Sequence, residues 1–173
     1  MRHGPILHAW KGVVDVAPQV ISVPGWKDLK IEALVFDFNG TLATDGKLSD
    51  RTREALRELG SMYEVHILTS DTFGSVEEEC CGLPVQVHRL ASAHHAQEKR
   101  DFIESRFKGG VAAIGNGAND ELMLEAADLG IVVISPEGCS PRALARADIA
   151  VASIEHVFEL FRKPKRIVAT LRR

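Results

Sequence analysis

Asp37, Thr69, Lys99, Asn116 and Asp120 are the residues of this 173-residue chain whose types and order could move a phosphoryl group. Phosphoryl transfer needs a nucleophile, donors and positive charge for the phosphoryl oxygens, and usually a magnesium ion. Asp37 offers a carboxylate that can attack phosphorus and hold the group as an aspartyl-phosphate. Thr69 and the amides beside it can donate hydrogen bonds to phosphoryl oxygens, and Lys99 can neutralise charge. Asp37, the Asn39 carbonyl, Asn116 and Asp120 can present oxygens to Mg2+ or to its waters. One of these aspartates or lysines alone would read as a solvated group, so the ordered set carries the signal. Asn39 stands out within it, an amide where a carboxylate would serve as general acid and base.

These side chains can cooperate only if the chain brings them to one edge. Apolar runs at 31–38, 64–69, 84–88, 111–114, 129–134 and 148–151 read as strands. Between and after them, 50–60, 73–81, 93–107, 121–127, 141–147 and 154–161 read as helices, the first capped by Ser49 or Asp50 and stopped by Gly60. Near-continuous apolar strands alternating with helices predict an α/β, three-layer, Rossmann-like fold with helices on both faces of a central parallel sheet. Such sheets bind ligands outside the carboxyl ends of their strands. Here those ends are Asp37-Phe38-Asn39, Thr69-Ser70-Asp71 and the loop 115–120, all rich in acids and amides. The Asp45-Gly46 turn signal within 41–50 predicts a small hairpin projecting beside them.

Composition sets the broad class. The chain is 45% hydrophobic and 26% charged, ordinary for a globular protein, and its length favours one domain over 21–173, with 1–20 as an extension. A net charge of −3 argues against a nucleic-acid partner. The basic run Arg162-Lys163-Pro164-Lys165-Arg166, with Arg172-Arg173, reads as a solvated, helix-ending face. Three cysteines, two of them adjacent and none in a C-x-x-C pair, read as reduced thiols packed in the interior of a cytoplasmic protein. No apolar run approaches the ~18 residues of a membrane span. Lys11 and Asp15 interrupt any signal-peptide core. His94 and His95 are adjacent, so they do not share a helix face, and they read as a polar helix start.

In their order, "DFNGTL", "ILTS", Lys99 and "GNGAND" resemble the four motifs of the haloacid dehalogenase (HAD) superfamily, over residues 31–151. The longer stretches "DFNGTLATDGKLS", "LTSDTFG" and "PKRIVATLRR" are similar to a smaller group, the soluble P-type-ATPase-like HAD proteins. The resemblance implies a HAD fold without a large cap domain, Mg2+ as cofactor and a small phosphorylated substrate. Residue by residue, it implies Asp37 as nucleophile, Thr69 as phosphate-binding hydroxyl, Lys99 as charge-stabilising lysine and Asp120 in the magnesium site. Phe38, Asn39, Gly40, Ser70 and Asn119 lie in the same motifs and complete the expected substrate-binding set with Thr69 and Lys99. Two positions depart from the commonest pattern. Asn39 replaces the aspartate that protonates the leaving group, and Asn116 replaces one that ligates magnesium.

General acid–base help is worth about 10²–10⁴-fold, so the loss at Asn39 predicts slow turnover of alkyl phosphates. Acyl phosphates and nucleoside triphosphates, whose leaving groups scarcely need a proton, are easier substrates. Asn116 keeps an oxygen but loses charge, which loosens Mg2+. Each amide precedes a glycine, as tight turns favour. The intervals from Thr41 to Thr69 and from Thr69 to Lys99 are too short for a cap domain. An open site suits a large substrate, or a neighbouring subunit as lid in a dimer or tetramer. The alternative reading is a non-catalytic or regulatory phosphoryl-binding domain, favoured by the same two amides.

Overall fold

The computed structural model describes residues 19–71 and 75–173. In chain order its elements are β1 (Gln19–Ser22), β2 (Asp28–Ile31), β3 (Ala33–Asp37), α1 (Asp50–Leu59), β4 (Glu64–Thr69), α2 (Ser75–Glu79), β5 (Gln86–Arg89) and α3 (His95–Arg106). There follow β6 (Val111–Gly115), a 3-10 turn (Ala118–Asp120), α4 (Glu121–Ala126), β7 (Leu129–Val133), α5 (Pro141–Arg146), β8 (Ile149–Val151), α6 (Ile154–Arg162) and α7 (Lys165–Leu171).

The central sheet has strand order β5-β4-β3-β6-β7-β8, and every neighbouring pair is parallel. From β3 the chain builds outward through β4 and β5, then crosses to β6 on the other side. β3 is therefore the topological switch point, where ligands of open α/β sheets bind. Asp37 pairs with Leu68 and Phe36 with Ile114, so Thr69 and Gly115 each stand one residue further toward the same edge. The register alone gathers the polar strand ends.

Alternate residues of a strand face opposite ways, and the core divides accordingly. Leu34 and Phe36 pack with Leu56 of α1, Phe158 of α6 and Ile167 of α7 on one face. Ala33 and Val35 pack with Ile103 of α3, Met123 of α4 and Ala143 of α5 on the other. All five residues of β3 are buried, as a strand covered on both faces must be. Among the described residues no domain is inserted at the carboxyl edge: β3 reaches α1 through the loop 38–49, and α2 lies between β4 and β5.

Several expectations needed correction. β1 and β2 form a separate antiparallel hairpin that the strand pattern did not predict. Its signal was Pro24-Gly25, with Gly25 at φ 75 and Trp26 N–H bonded to Val23 O, the Pro-Gly pattern of a type II turn. α7 was also missed, and the basic run is partly paired: Arg162 with Glu58 and Glu159, Lys163 and Arg166 with Glu159. β5 starts at Gln86 rather than at Pro84, which has no N–H to give a ladder. Cys80 is buried, but Cys81 is exposed and Cys139 lies between, so interior packing holds only for the first. Most of the expected extension, 1–18, and the expected start of α2 at Phe73 lie outside the described residues; residues 19 and 20 belong to β1.

Candidate active site

Asp37 ends β3 with the parity of Ala33 and Val35, which face the layer containing α3. Lys99, in the second turn of α3, meets it there. Lys99 Nζ donates to Asp37 Oδ1 at 2.6 Å and to Asp120 Oδ1 at 2.6 Å. All three side chains are buried. One ammonium between two carboxylates leaves excess negative charge whenever both are ionised. Burial, and then the charge of Asp120, push the Asp37 carboxyl up to about 7, while Lys99 and Thr41 pull the other way. Burial opposes the charge on Lys99, but the two carboxylates outweigh it and hold the ammonium above its ordinary value.

Thr41 closes the other side. Its Oγ1 lies 3.3 Å from Asp37 Oδ2 and 3.1 Å from Asn116 Oδ1, and its single proton serves one of them at a time. The approach depends on Gly40, at φ 75, which folds the chain so that the amides of Thr41, Leu42 and Ala43 all donate to Phe38 O. A Cβ on Gly40 would stand 2.5 Å from Asn116 Nδ2. The Asn-Gly expectation therefore holds at 39–40. At 116–117 the backbone does not require it, since Gly117 has φ −91, although a Cβ there would stand 2.6 Å from Asn119 Oδ1.

Asp120 folds back on its own loop. Its Oδ2 accepts from the amides of Asn116 and Gly117, each at 2.9 Å. Gly115 makes the space, since a Cβ there would lie 2.5 Å from Asp120 Cγ. Asp120 thus buttresses Lys99 and the loop. Asp37 Oδ2 and Asn116 Oδ1 both lie within reach of the Thr41 hydroxyl, so they are the two candidate oxygens that a cation could share. One carboxylate, one amide oxygen and a backbone carbonyl are hard donors that suit a magnesium ion keeping several waters. Among the described residues no group of three His, Cys, Asp or Glu gathers as a metal site. The fit therefore depends on the amide and carbonyl oxygens.

Thr69 is buried one residue beyond the partner of Asp37, and its Oγ1 accepts from Asp71 N–H at 3.0 Å. Its own proton remains for an incoming oxygen. Asp71 in turn accepts from Ser75 Oγ at 2.9 Å and Val76 N at 3.2 Å, tying the Thr69 loop to α2. Asn39 and Ser70 are exposed at the rim, and Asn119 is half-buried. Phe38 has its side chain fully in the core and its carbonyl taken by the amides of residues 41 to 43, so the structure gives it no side-chain part in binding. The Gly40 amide is already given to Ala43 O at 2.8 Å. Sequence reasoning missed Thr41 and named Asp71 only as part of a polar strand end; the available signals were a hydroxyl inside the turn after Asp37 and a capping-type residue ahead of "SVEEE". The hairpin expected at Asp45-Gly46 is present, with Thr44 bridged to Lys47.

No family model matches the chain. It is 28% identical over 138 residues to the soluble P-type ATPase-like phosphatase of Methanocaldococcus jannaschii, an alignment covering 78% of this chain and 50% of that protein. The chain thus spans about half the length of that relative. Among solved structures it is similar to the 3-deoxy-D-manno-octulosonate 8-phosphate phosphatase of Moraxella catarrhalis in complex with magnesium, phosphate and KDO. That likeness has a TM-score of 0.62 at 18% identity, covering 80% of this chain and 90% of the other. A putative HAD superfamily (subfamily III A) hydrolase of Legionella pneumophila gives 0.60 at 15% identity, covering 82% and 87%. At such identities these structures speak for the fold.

Proposed function

We propose that this chain, whose fold and motif order are those of the haloacid dehalogenase superfamily, is a magnesium-dependent phosphohydrolase working through an aspartyl-phosphate on Asp37. The observation that carries the reading is the Lys99 ammonium bonded to both Asp37 and Asp120 at the switch point of a parallel sheet. An Asp37 oxygen attacks phosphorus, the bond to the leaving oxygen breaks, and that oxygen departs with the electron pair. Thr69 Oγ1 and the amides near it bind the phosphoryl oxygens, and Lys99 offsets their charge. Water then attacks phosphorus and releases the Asp37 carboxylate. Magnesium would be held by Asp37, the Asn39 carbonyl and Asn116, with Asp120 behind a water, and would supply charge neutralisation.

Asn39 cannot shuttle a proton, so turnover is slow with alkyl phosphates and better with acyl phosphates or nucleoside triphosphates. The substrate is a phosphorylated small molecule, and the open carboxyl edge suits a dimer or tetramer in which a neighbour covers it. Among the described residues no helix is long and apolar enough to cross a membrane. The second reading is a phosphoryl-binding domain without turnover, favoured by the exposed amide at Asn39.

Incubation with Mg2+ and acetyl phosphate, ATP or p-nitrophenyl phosphate separates the two. Turnover, or an acid-stable phosphoenzyme present in the wild type and absent in Asp37→Asn, supports the enzyme. Labelling that survives in Asp37→Asn would sink the mechanism. A silent wild type with activity gained in Asn39→Asp would favour the second reading.

A further inference from the structure

α3 links the carboxyl end of β5 to the start of β6, so it runs antiparallel to both strands and its N-terminus stands at the carboxyl edge of the sheet. His95, Lys99 and Ile103 follow one another at four-residue spacing, which puts them in line on one face of α3. Ile103 is buried in the core, Lys99 is buried against Asp37 and Asp120, and His95, one turn further out, is half-buried. α3 also packs on the 3-10 turn that carries Asn119 and Asp120. The entry to the helix is fixed, because the Glu98 carboxylate accepts from the amides of Ala91 at 2.8 Å and Ser92 at 2.9 Å. His95 is therefore carried on a pinned first turn, beside Glu98 and one turn outward of Lys99 on the same face.

The vertical spacing matches the reaction. Four residues of helix rise about 6 Å. A phosphorus atom in attack position sits about 3–3.5 Å from the nucleophile, which places the leaving oxygen on its far side at about 5 Å. Lys99 reaches Asp37 from this face of α3, so a side chain borne one turn further out stands on the side of Asp37 from which a leaving group departs. Asn39, the residue expected to serve that oxygen, has no proton to give.

We infer that His95 serves the leaving oxygen in the phosphohydrolase reaction proposed above, taking over the proton donation that Asn39 cannot perform. As the bond from Asp37 to phosphorus forms, the bond to the leaving oxygen breaks, its electron pair stays on that oxygen, and a ring N–H proton of the imidazolium moves to it. In the second step water attacks phosphorus, one of its protons passes to the same nitrogen, and the Asp37 carboxylate is released. The imidazole ends as it began. His94, exposed and on a different face, has no part in this.

The role rests on the Asp37 phosphoenzyme, and the experiment keeps the two apart. Phosphoenzyme formation from acetyl phosphate is measured with Mg2+ for the wild type, His95→Gln, His95→Ala and His94→Ala. Turnover of p-nitrophenyl phosphate and of phenyl phosphate, a poorer leaving group, is measured for the same proteins. The expected result is near-normal labelling by acetyl phosphate in both His95 variants. Their loss on phenyl phosphate should be about 10²-fold and clearly larger than on p-nitrophenyl phosphate, with His94→Ala like the wild type. A wild type that labels normally, with His95 variants that lose nothing or lose equally on both esters, would overturn the role of His95 and leave the phosphoenzyme standing. A wild type that neither labels nor turns over would overturn both.

Discussion

Asn39 is exposed at the rim while Asp37, two residues earlier, is buried against Lys99, and that contrast decides what each substitution does. Asn39→Asp restores a proton donor without touching the core. With His95 serving the same oxygen, it should change phenyl phosphate turnover little in the wild type and raise it by about 10²-fold in the His95→Ala background, with acetyl phosphate nearly unchanged, in a phosphate-release assay. Asp37→Asn acts on stability as well as chemistry. The folded carboxyl titrates at about 7 against an ordinary 3.8, so the stability it contributes is present below 3.8 and lost as pH rises through 7. Without metal, Asp37→Asn should therefore melt higher than the wild type at pH 8, with the difference shrinking toward pH 4; an equal or lower melting temperature at pH 8 would contradict the burial account. The meeting of Asp37, Lys99 and Asp120 was legible because carboxylates at strand ends and a lysine on the helix between them stand out by type and order. Thr41 was not, because its contact with Asp37 and Asn116 exists only once Gly40 has turned the chain. Nor was the commitment of Asp120 to its own loop amides, which Gly115 permits by lacking a side chain.

At the scale of elements, α2 is only five residues long, yet it ties together the loops that follow β3 and β4. Its last residue, Glu79, accepts from Leu48 N at 3.1 Å, Lys47 Nζ at 2.9 Å and Arg53 Nη2 at 2.5 Å, and its carbonyl accepts from Arg53 Nη1. The first two partners belong to the loop that carries Thr41, and the third to α1. At the other end of α2, Asp71 joins the helix to Thr69. Glu79→Ala leaves the amide of buried Leu48 unpaired and should cost about 1–3 kcal/mol in urea unfolding. A change within ±0.5 kcal/mol would show that the loop is held by its own turn instead. Little of this was readable in advance, since "SVEEE" carries an acidic face and no sign of which carboxylate turns inward. The four inner strands were readable because burial on both faces demands near-continuous apolar runs, whereas the edge strands β5 and β8 are partly exposed and gave only brief signals. β1 and β2 are short, with β2 alternating in burial, and α7 sets its short apolar run from Ile167 to Leu171 between basic residues, so both were passed over.

For the whole molecule, two buried sites titrate against each other. His66 of β4 bonds His88 of β5 at 3.0 Å between ring nitrogens and packs edge-on to Phe102 and Phe107. Burial, then the charges of His88 and Arg106, push its imidazole down to about 3, so its 3.4 Å contact with Glu64 is a hydrogen bond of a neutral ring at neutral pH. An unfolded chain takes up this proton near 6.5 and the folded one does not until about 3, so stability falls as pH drops through that window. Asp37 works in the opposite sense between 3.8 and about 7. The two slopes oppose each other over much of the range, which predicts a shallow metal-free profile of melting temperature against pH. Removing one partner should uncover the other: His66→Leu leaves a fall in stability with rising pH, and Asp37→Asn leaves a fall with acidification. Magnesium adds a third lever, because a ligating Asp37 must be ionised and binding to the folded state raises the melting temperature by mass action. The rise on adding Mg2+ should be larger at pH 8 than at pH 5 and should vanish in Asp37→Asn. A rise equal at both pH values, or one that survives in Asp37→Asn, would place the ion somewhere other than at the end of β3.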